Sequence, residues 1–372
     1  MRLDRRLIAN FDWVLMGIAL AITFLGIMTI YSATRPLSGG THSTFYIKQF
    51  YWLLISLAAM LAVVSVDYKW FERNSTRLMW VSLILLFVVL VAGRIGMGAK
   101  RWITIGPLNL QPSEIYKLVL LAAMARYLCR FSGALGYASV FRAFIYFVFL
   151  PVLLIIKQPD LGTSLVIIAL FASVILTKGV GKKMVTMAVL ISIVSVPFMG
   201  SIVWDELKPY QKKRIVAFVN PDADPEGVSY HVQQSKVAVG SGGAFGKGYL
   251  KGTQGPFRFL PEKHTDFIFA VFAEEWGFLG SITLLMLYAG LILRGIDTAL
   301  KSKDEFGRLL ALGITYMFMI YCFINIGMTL GLVPVVGVPL PLMSYGGTAL
   351  MTNFIGIGIL ISIRARRFEL FY

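Results

Sequence analysis

The sequence predicts an all-α, polytopic integral membrane protein with about ten transmembrane helices, cytoplasmic N- and C-termini and one long extracytoplasmic loop. Three observations predict it. Hydrophobic residues make up 57% of the 372-residue chain, against about 45–50% in soluble domains, and mean hydropathy is +0.75. The apolar residues gather into long runs that are nearly free of charge, and a hydrocarbon core of ~30 Å needs about 20 such residues in helix. The charges between the runs fall on alternate loops, as membrane orientation requires.

Spans are expected at 12–32, 47–66, 78–94, 113–129, 142–157, 161–177, 184–203, 267–293, 309–332 and 345–363. The first run follows Arg2, Arg5 and Arg6. It is longer than a signal-peptide core and no small-x-small cleavage site follows it, so it is read as a retained span. With the N-terminus inside, the cytoplasmic segments receive Lys69, Arg73 and Arg77, then Arg126, Arg130 and Arg142. Lys178, Lys182 and Lys183 follow, then Arg294, Lys301, Lys303 and Arg308, and finally Arg364, Arg366 and Arg367. An even number of spans returns the C-terminus to the cytoplasm. Two outer segments are basic as well. The long loop 204–266 escapes the orientation rule because of its length. The short segment 94–111, with Lys100 and Arg101, opposes the rule, which suggests a use.

Residues 1–372 read as a single membrane domain, with no room for a second folded domain. The loop 204–266 has internal organisation: a basic start (Lys208, Lys212, Lys213, Arg214), a Pro/Asp turn after Asn220, a helical stretch from Tyr230 to Val239, and a glycine cluster from Gly240 to Gly248. Loops of this length without structure are uncommon unless they are functional.

Composition also excludes classes of function. A formal charge of +16 would suggest nucleic acid in a soluble protein. Here basic loops orient the chain, and a phosphate-bearing lipid is the sharper reading, so no nucleic-acid partner is expected. Cys129 and Cys322 form no CxxC pair, and His42, His231 and His264 are scattered, so no metal centre is expected. The chain has no Walker, HExxH or GxSxG motif.

Five stretches carry candidate chemistry. The first runs from Phe259 to Gly277. Asp266 sits where the long loop ends and a span begins; Thr265 or Asp266 would serve as a helix N-cap, or Asp266 as a reactive carboxylate with His264 beside it. Glu274 and Glu275 lie deeper in the same span. The second is Gln111-Pro-Ser-Glu-Ile-Tyr-Lys, with Ser113 as an N-cap. There Glu114 and Lys117 are i,i+3 neighbours, either an internal pair or a phosphate-holding lysine positioned by its glutamate. The third, around Lys100, Arg101 and Trp102, offers bidentate phosphate binding or an interfacial anchor. The fourth is the turn at Lys157-Gln-Pro-Asp, where Asp160 suits a helix start. The fifth, Gly331 to Gly347, is rich in proline and glycine. Irregular backbone at membrane depth is tolerated where protein buries it or a cavity is lined, so this stretch should form a wall.

The segments LPEKHTDFIFAVFAEEWG, KQPDLGT, PSEIYK, GSGGAFGKG and PVVGVPLPLMSYGG together resemble the SEDS family (shape, elongation, division and sporulation). The resemblance covers essentially the whole chain, in order. Gly252-Thr-Gln and the Val336-Gly-Val-Pro-Leu-Pro segment point to the elongation branch rather than the division branch. The resemblance implies a peptidoglycan glycosyltransferase that polymerises lipid II, in a multi-pass arrangement in the bacterial cytoplasmic (inner) membrane. It also implies a class B penicillin-binding protein as partner, within the elongation machinery. It places the essential aspartate at Asp266 and the family's important Glu and Lys at Glu114 and Lys117.

The chemistry is coherent by itself. A sugar on a lipid pyrophosphate loses its leaving group without an acid if charge is neutralised, so a single base is needed. This differs from the paired carboxylates of glycosidases. Asp266 is the expected base, and Lys117, Arg101 and Lys100 are the expected stabilisers of pyrophosphate. His264 and Asp160 are further substrate-binding candidates. No protein-bound cofactor is required, and a divalent cation would share the neutralisation. Two other readings use the same features: a transporter that flips lipid II, and a non-catalytic scaffold for the penicillin-binding protein.

Overall fold

The computed structural model describes residues 10–35, 44–96, 99–106, 108–187, 190, 204, 207, 209–220, 227–253 and 264–367, with the side chains of 94–100, 105, 108 and 210 excepted. Helix α1 is Trp13–Thr34, α2 is Phe45–Ser65 and α3 is Tyr68–Ala92. A small antiparallel sheet follows, β1 Arg94–Gly96, β2 Ala99–Ile105 and β3 Leu108–Leu110, in the order β1-β2-β3. Next come α4 (Pro112–Leu128), α5 (Tyr137–Lys157, with a π-helical turn at Ile145–Phe149) and α6 (Leu161–Lys178). The long loop carries α7 (Pro209–Val219) and α8 (Val228–Ser241). The chain ends with α9 (Ile268–Leu300), α10 (Glu305–Thr329) and α11 (Gly347–Ala365).

Eight of the described helices are long and apolar enough to cross a membrane. Helix α4, also expected to span, has 17 residues, about 26 Å of helix. Of the expected span 184–203, residues 184–187 and 190 are described and the rest lies outside the described residues. The sheet was not expected. Ala99–Ile105 is rich in β-branched and aromatic residues, and Gly106 at φ 60° makes the turn into β3. Helix α7 was read only as a basic loop start, and α9 runs beyond the expected 293 to Leu300.

Small residues bring the helices close. A Cβ on Gly358 of α11 would stand 3.0 Å from the Met60 carbonyl of α2, and one on Gly26 of α1 would stand 2.5 Å from the Met343 carbonyl. At the end assigned to the cytoplasm, Asp12 meets Arg294 at 3.1 Å and Arg364 at 3.0 Å, and Arg364 meets Asp297 at 2.6 Å. This network ties α1, α9 and α11 together.

At Gly277 (φ 66°, ψ −160°) α9 is broken. The glycine cluster after α8 fills the break. Phe278 N–H donates to the Gly243 carbonyl at 2.8 Å and Leu279 N–H to Ala244 at 3.1 Å, while Lys247 and Gly248 N–H donate to Glu274 and Glu275 carbonyls at 3.0 Å each. A Cβ on Gly277 would strike the backbone of Gly246. The buried Glu274 carboxylate fastens the same loop: one oxygen accepts from Lys247 Nζ at 2.6 Å and from Thr253 N and Oγ1 at 2.8 Å each. Glu275 accepts from Ser32 of α1. The two glutamates are therefore structural ties between the long loop, α9 and α1.

Candidate active site

Asp266 lies in the turn that opens α9, partly exposed. The helix N-cap is Phe267, which has no capping side chain, so neither Thr265 nor Asp266 occupies the capping position. Three successive carbonyls around it are held by donors from α10 and from the segment 331–346. Tyr345 N–H donates to His264 O at 2.8 Å, Ser344 Oγ to Thr265 O at 2.6 Å, and Asn325 Nδ2 to Asp266 O at 3.0 Å. Asn325, fully buried, also donates to Val338 O at 2.8 Å. Ser344 in turn accepts from Leu340 N at 2.8 Å. Gln49 of α2 donates to Ser344 O at 3.1 Å and accepts from Gly346 N at 3.2 Å. The backbone that carries the carboxylate is thus pre-organised, which is what a reactive group needs from its support.

The irregular stretch expected as a wall is one. Val335, Val338, Leu340, Leu342 and Met343 are buried, and Tyr288 of α9 donates to Pro341 O at 2.7 Å. His264 stacks on Phe45 at 4.5 Å and lies 5.6 Å from Tyr345. Its ring thereby joins the aromatic packing of the wall.

The other candidates gather at the same end of the bundle. Asp160 caps α6, accepting from Thr163 N at 3.2 Å and Thr163 Oγ1 at 2.9 Å. Gln111 donates to it at 3.1 Å. Arg101 of β2 donates to the carbonyls of Gln158 (3.2 Å) and Pro159, and approaches Asp160 at 3.9 Å. Arg101 and Asp160 therefore hold the tight turn between α5 and α6. A Cβ on Gly162, just beyond, would stand 2.6 Å from Val336 O, so this turn abuts the wall. Lys100 lies in β2 paired with Ile95; its side chain lies outside the described residues, as do Glu262 and Lys263. Ser113 sits inside the first turn of α4 rather than at its cap, which is Gln111.

Glu114 and Lys117 pair at 2.7 Å with side chains 7% and 1% exposed, and Lys117 donates to Tyr321 of α10. The lysine is therefore enclosed, bracing α4 against α10. Among the described residues no group of three His, Cys, Asp or Glu side chains converges.

Reading residues along the chain missed Arg214. A Cβ on Gly337 (φ +74°) would stand 3.4 Å from both Asp266 Oδ2 and Arg214 Nη1. Glycine lets the wall lie against both side chains, and Arg214, carried by α7, is the cation beside the candidate base. A basic turn of helix in an outer loop was its only signal. Asn325 gave none.

The comparisons with known proteins agree with this arrangement. The family model described as a cell cycle protein, FtsW/RodA/SpoVE, matches residues 12–368. The chain is 39% identical over 315 residues to the peptidoglycan glycosyltransferase MrdB of Escherichia coli K12, covering 85% of this chain and 84% of that one. It is 31% identical to the peptidoglycan glycosyltransferase RodA of Treponema pallidum, covering 97% and 99%. Its structure matches one described as the structural coordination of polymerization and crosslinking by a peptidoglycan synthase complex, with TM-score 0.81 and 30% identity over 96% of this chain and 99% of that one. It also matches the rod shape determining protein RodA of Thermus thermophilus, with TM-score 0.71 and 27% identity over 96% and 98%. With the family model spanning nearly the whole chain and the architecture shared from end to end, this chain belongs to the FtsW/RodA/SpoVE family of multi-pass membrane proteins and is of the RodA type.

Proposed function

We propose that this chain is a peptidoglycan glycosyltransferase that polymerises lipid II at the outer face of the bacterial cytoplasmic membrane during cell elongation. The observation that carries the reading is Asp266: a partly exposed carboxylate on a backbone held at three successive carbonyls, at the end of the bundle the loop charges assign to the outer face. Asp266 is the general base. It takes the proton of the acceptor sugar's hydroxyl as that oxygen attacks the anomeric carbon of the donor. The pyrophosphate-bound polyprenol then leaves with the bonding electrons, so no acid is required.

Glu114, Lys117, Arg101 and Asp160 act by position. Their bonds fix the outer ends of α4 and α6 against α10 and the wall. A divalent cation is a further candidate to share the neutralisation of the pyrophosphate charge. The partner is a class B penicillin-binding protein of the elongation machinery. The solved synthase complex similar to this chain, described as joining polymerization and crosslinking, supports that pairing.

Polymerisation of labelled lipid II by the purified protein, with and without the partner, tests the reading. The wild type makes long glycan, while Asp266→Ala and Asp266→Asn, folded to the same melting temperature, make none. Undiminished polymer from both variants removes Asp266 as the base. No polymer from the wild type with its partner leaves the lipid II transporter as the better reading.

A further inference from the structure

We infer that Arg214 and Lys236, presented by the two helices of the long outer loop, bind the diphosphate of a polyprenyl-linked donor. The inference rests on Asp266 as the base and names the cations that face the leaving group. Helices α7 and α8 and the segment 331–335 enclose a pocket lined by Arg214, Lys236, Ser229 and Gln233 among apolar residues. Among the described residues two of its lining groups are cations and none is an acid. Lys236 is exposed and reaches across the loop, its Nζ lying 2.6 Å from where a Cβ on Gly331 (φ +71°) would stand. Arg214 serves both neighbourhoods: it lines the pocket and stands with Asp266 at Gly337. The pocket therefore adjoins the base through a single guanidinium.

Its rim tells what the anion is attached to. Phe218, which lines the pocket, is 44% exposed, and Val219 and Leu332, next in the chain to the lining residues Phe218 and Gly331, are 76% and 68% exposed. A free phosphate gains nothing from such a rim, whereas a phosphate that ends a hydrocarbon chain contacts both parts. A planar guanidinium offers the bidentate fork that phosphate oxygens accept, and the lysine adds a point charge.

The order of groups also fits the reaction. Asp266 removes the proton from the attacking hydroxyl, the new bond forms between that oxygen and the anomeric carbon, and the bond from that carbon to the diphosphate oxygen breaks with its electrons passing to the diphosphate. The attacking oxygen, the anomeric carbon and the leaving oxygen lie in line. Arg214 stands next to Asp266 and also lines the pocket, whose other cation is Lys236. Charge that builds on the diphosphate then meets fixed cations.

The test is binding of geranylgeranyl diphosphate, with geranylgeraniol as the uncharged reference, to the full-length protein in detergent. The wild type binds the diphosphate at least tenfold more tightly than the alcohol. Arg214→Gln and Lys236→Gln each lose about tenfold for the diphosphate and nothing for the alcohol, Arg214→Lys recovers part of the loss, and Lys213→Gln on the same helix matches the wild type. Lys236 is at the surface, so its variant folds normally and isolates the effect of charge. Wild-type affinity in both glutamine variants overturns the inference, as does equal binding of diphosphate and alcohol by the wild type. Lipid II polymerisation by the same proteins separates the two readings. Polymer from the wild type with unchanged affinity in the variants removes this site and leaves the polymerase. Selective loss of diphosphate binding in the variants, without polymer from the wild type, keeps the site and removes the polymerase.

Discussion

Replacing either member of the Glu114–Lys117 pair should destabilise the protein more than replacing both. The two charges stand 2.7 Å apart with side chains 7% and 1% exposed. At an effective dielectric constant near 20 their attraction is about 6 kcal/mol, most of it offset by the desolvation both groups suffered on burial. Lys117→Met leaves a carboxylate with no cation in an enclosed site, and Glu114→Gln leaves an ammonium there. Each should cost about 3–5 kcal/mol. The double variant carries no buried charge and should lie within about 2 kcal/mol of the wild type. The assay is a double-mutant cycle read by unfolding of the purified protein in detergent, with the melting temperature of each variant measured at one protein and detergent concentration. Single variants as stable as the wild type, or a double variant whose loss equals the sum of the singles, would refute the pairing as the origin of the stability. Glycan synthesis by the double variant then reports on function. If the pair only braces α4 against Tyr321 of α10, activity recovers with stability; if Lys117 must carry charge during turnover, it stays low.

Asn325→Ala leaves the part-buried carbonyl of Asp266 and the buried carbonyl of Val338 without this donor. It should cost about 2 kcal/mol and lower kcat while KM for lipid II changes little, measurable by steady-state polymerisation. Gly277→Ala asks for a φ of 66° with ψ −160° and places a methyl against Gly246. A loss of about 3 kcal/mol or more is expected, with protease cleavage appearing first in the 242–253 segment.

The sequence by itself determined the helical multi-pass membrane fold class and the approximate place of the described spans, and it singled out Asp266, Glu114 and Lys117 as residues to watch. These were legible because a hydrocarbon core imposes its cost residue by residue: each span must be apolar over its own length, and each charge within or beside one stands out against that background. It also showed that 331–347 would be irregular and buried, since proline and glycine act on the local backbone. The sheet at 94–110 and helix α7 were less visible because both lie outside the core, where the apolar pattern weakens. What only the tertiary structure decided is which groups meet. Asn325 holds Asp266 from 59 positions away and Ser344 holds Thr265 from 79. Arg214 reaches Asp266 across a glycine of a third segment, and Asp160 and Arg101 spend their bonds on a turn. Pairings of this kind arise from the way helices cross and loops fold back over their ends. No local pattern along the chain records them, because a hydrogen bond depends on a few ångströms in space and not on distance in sequence.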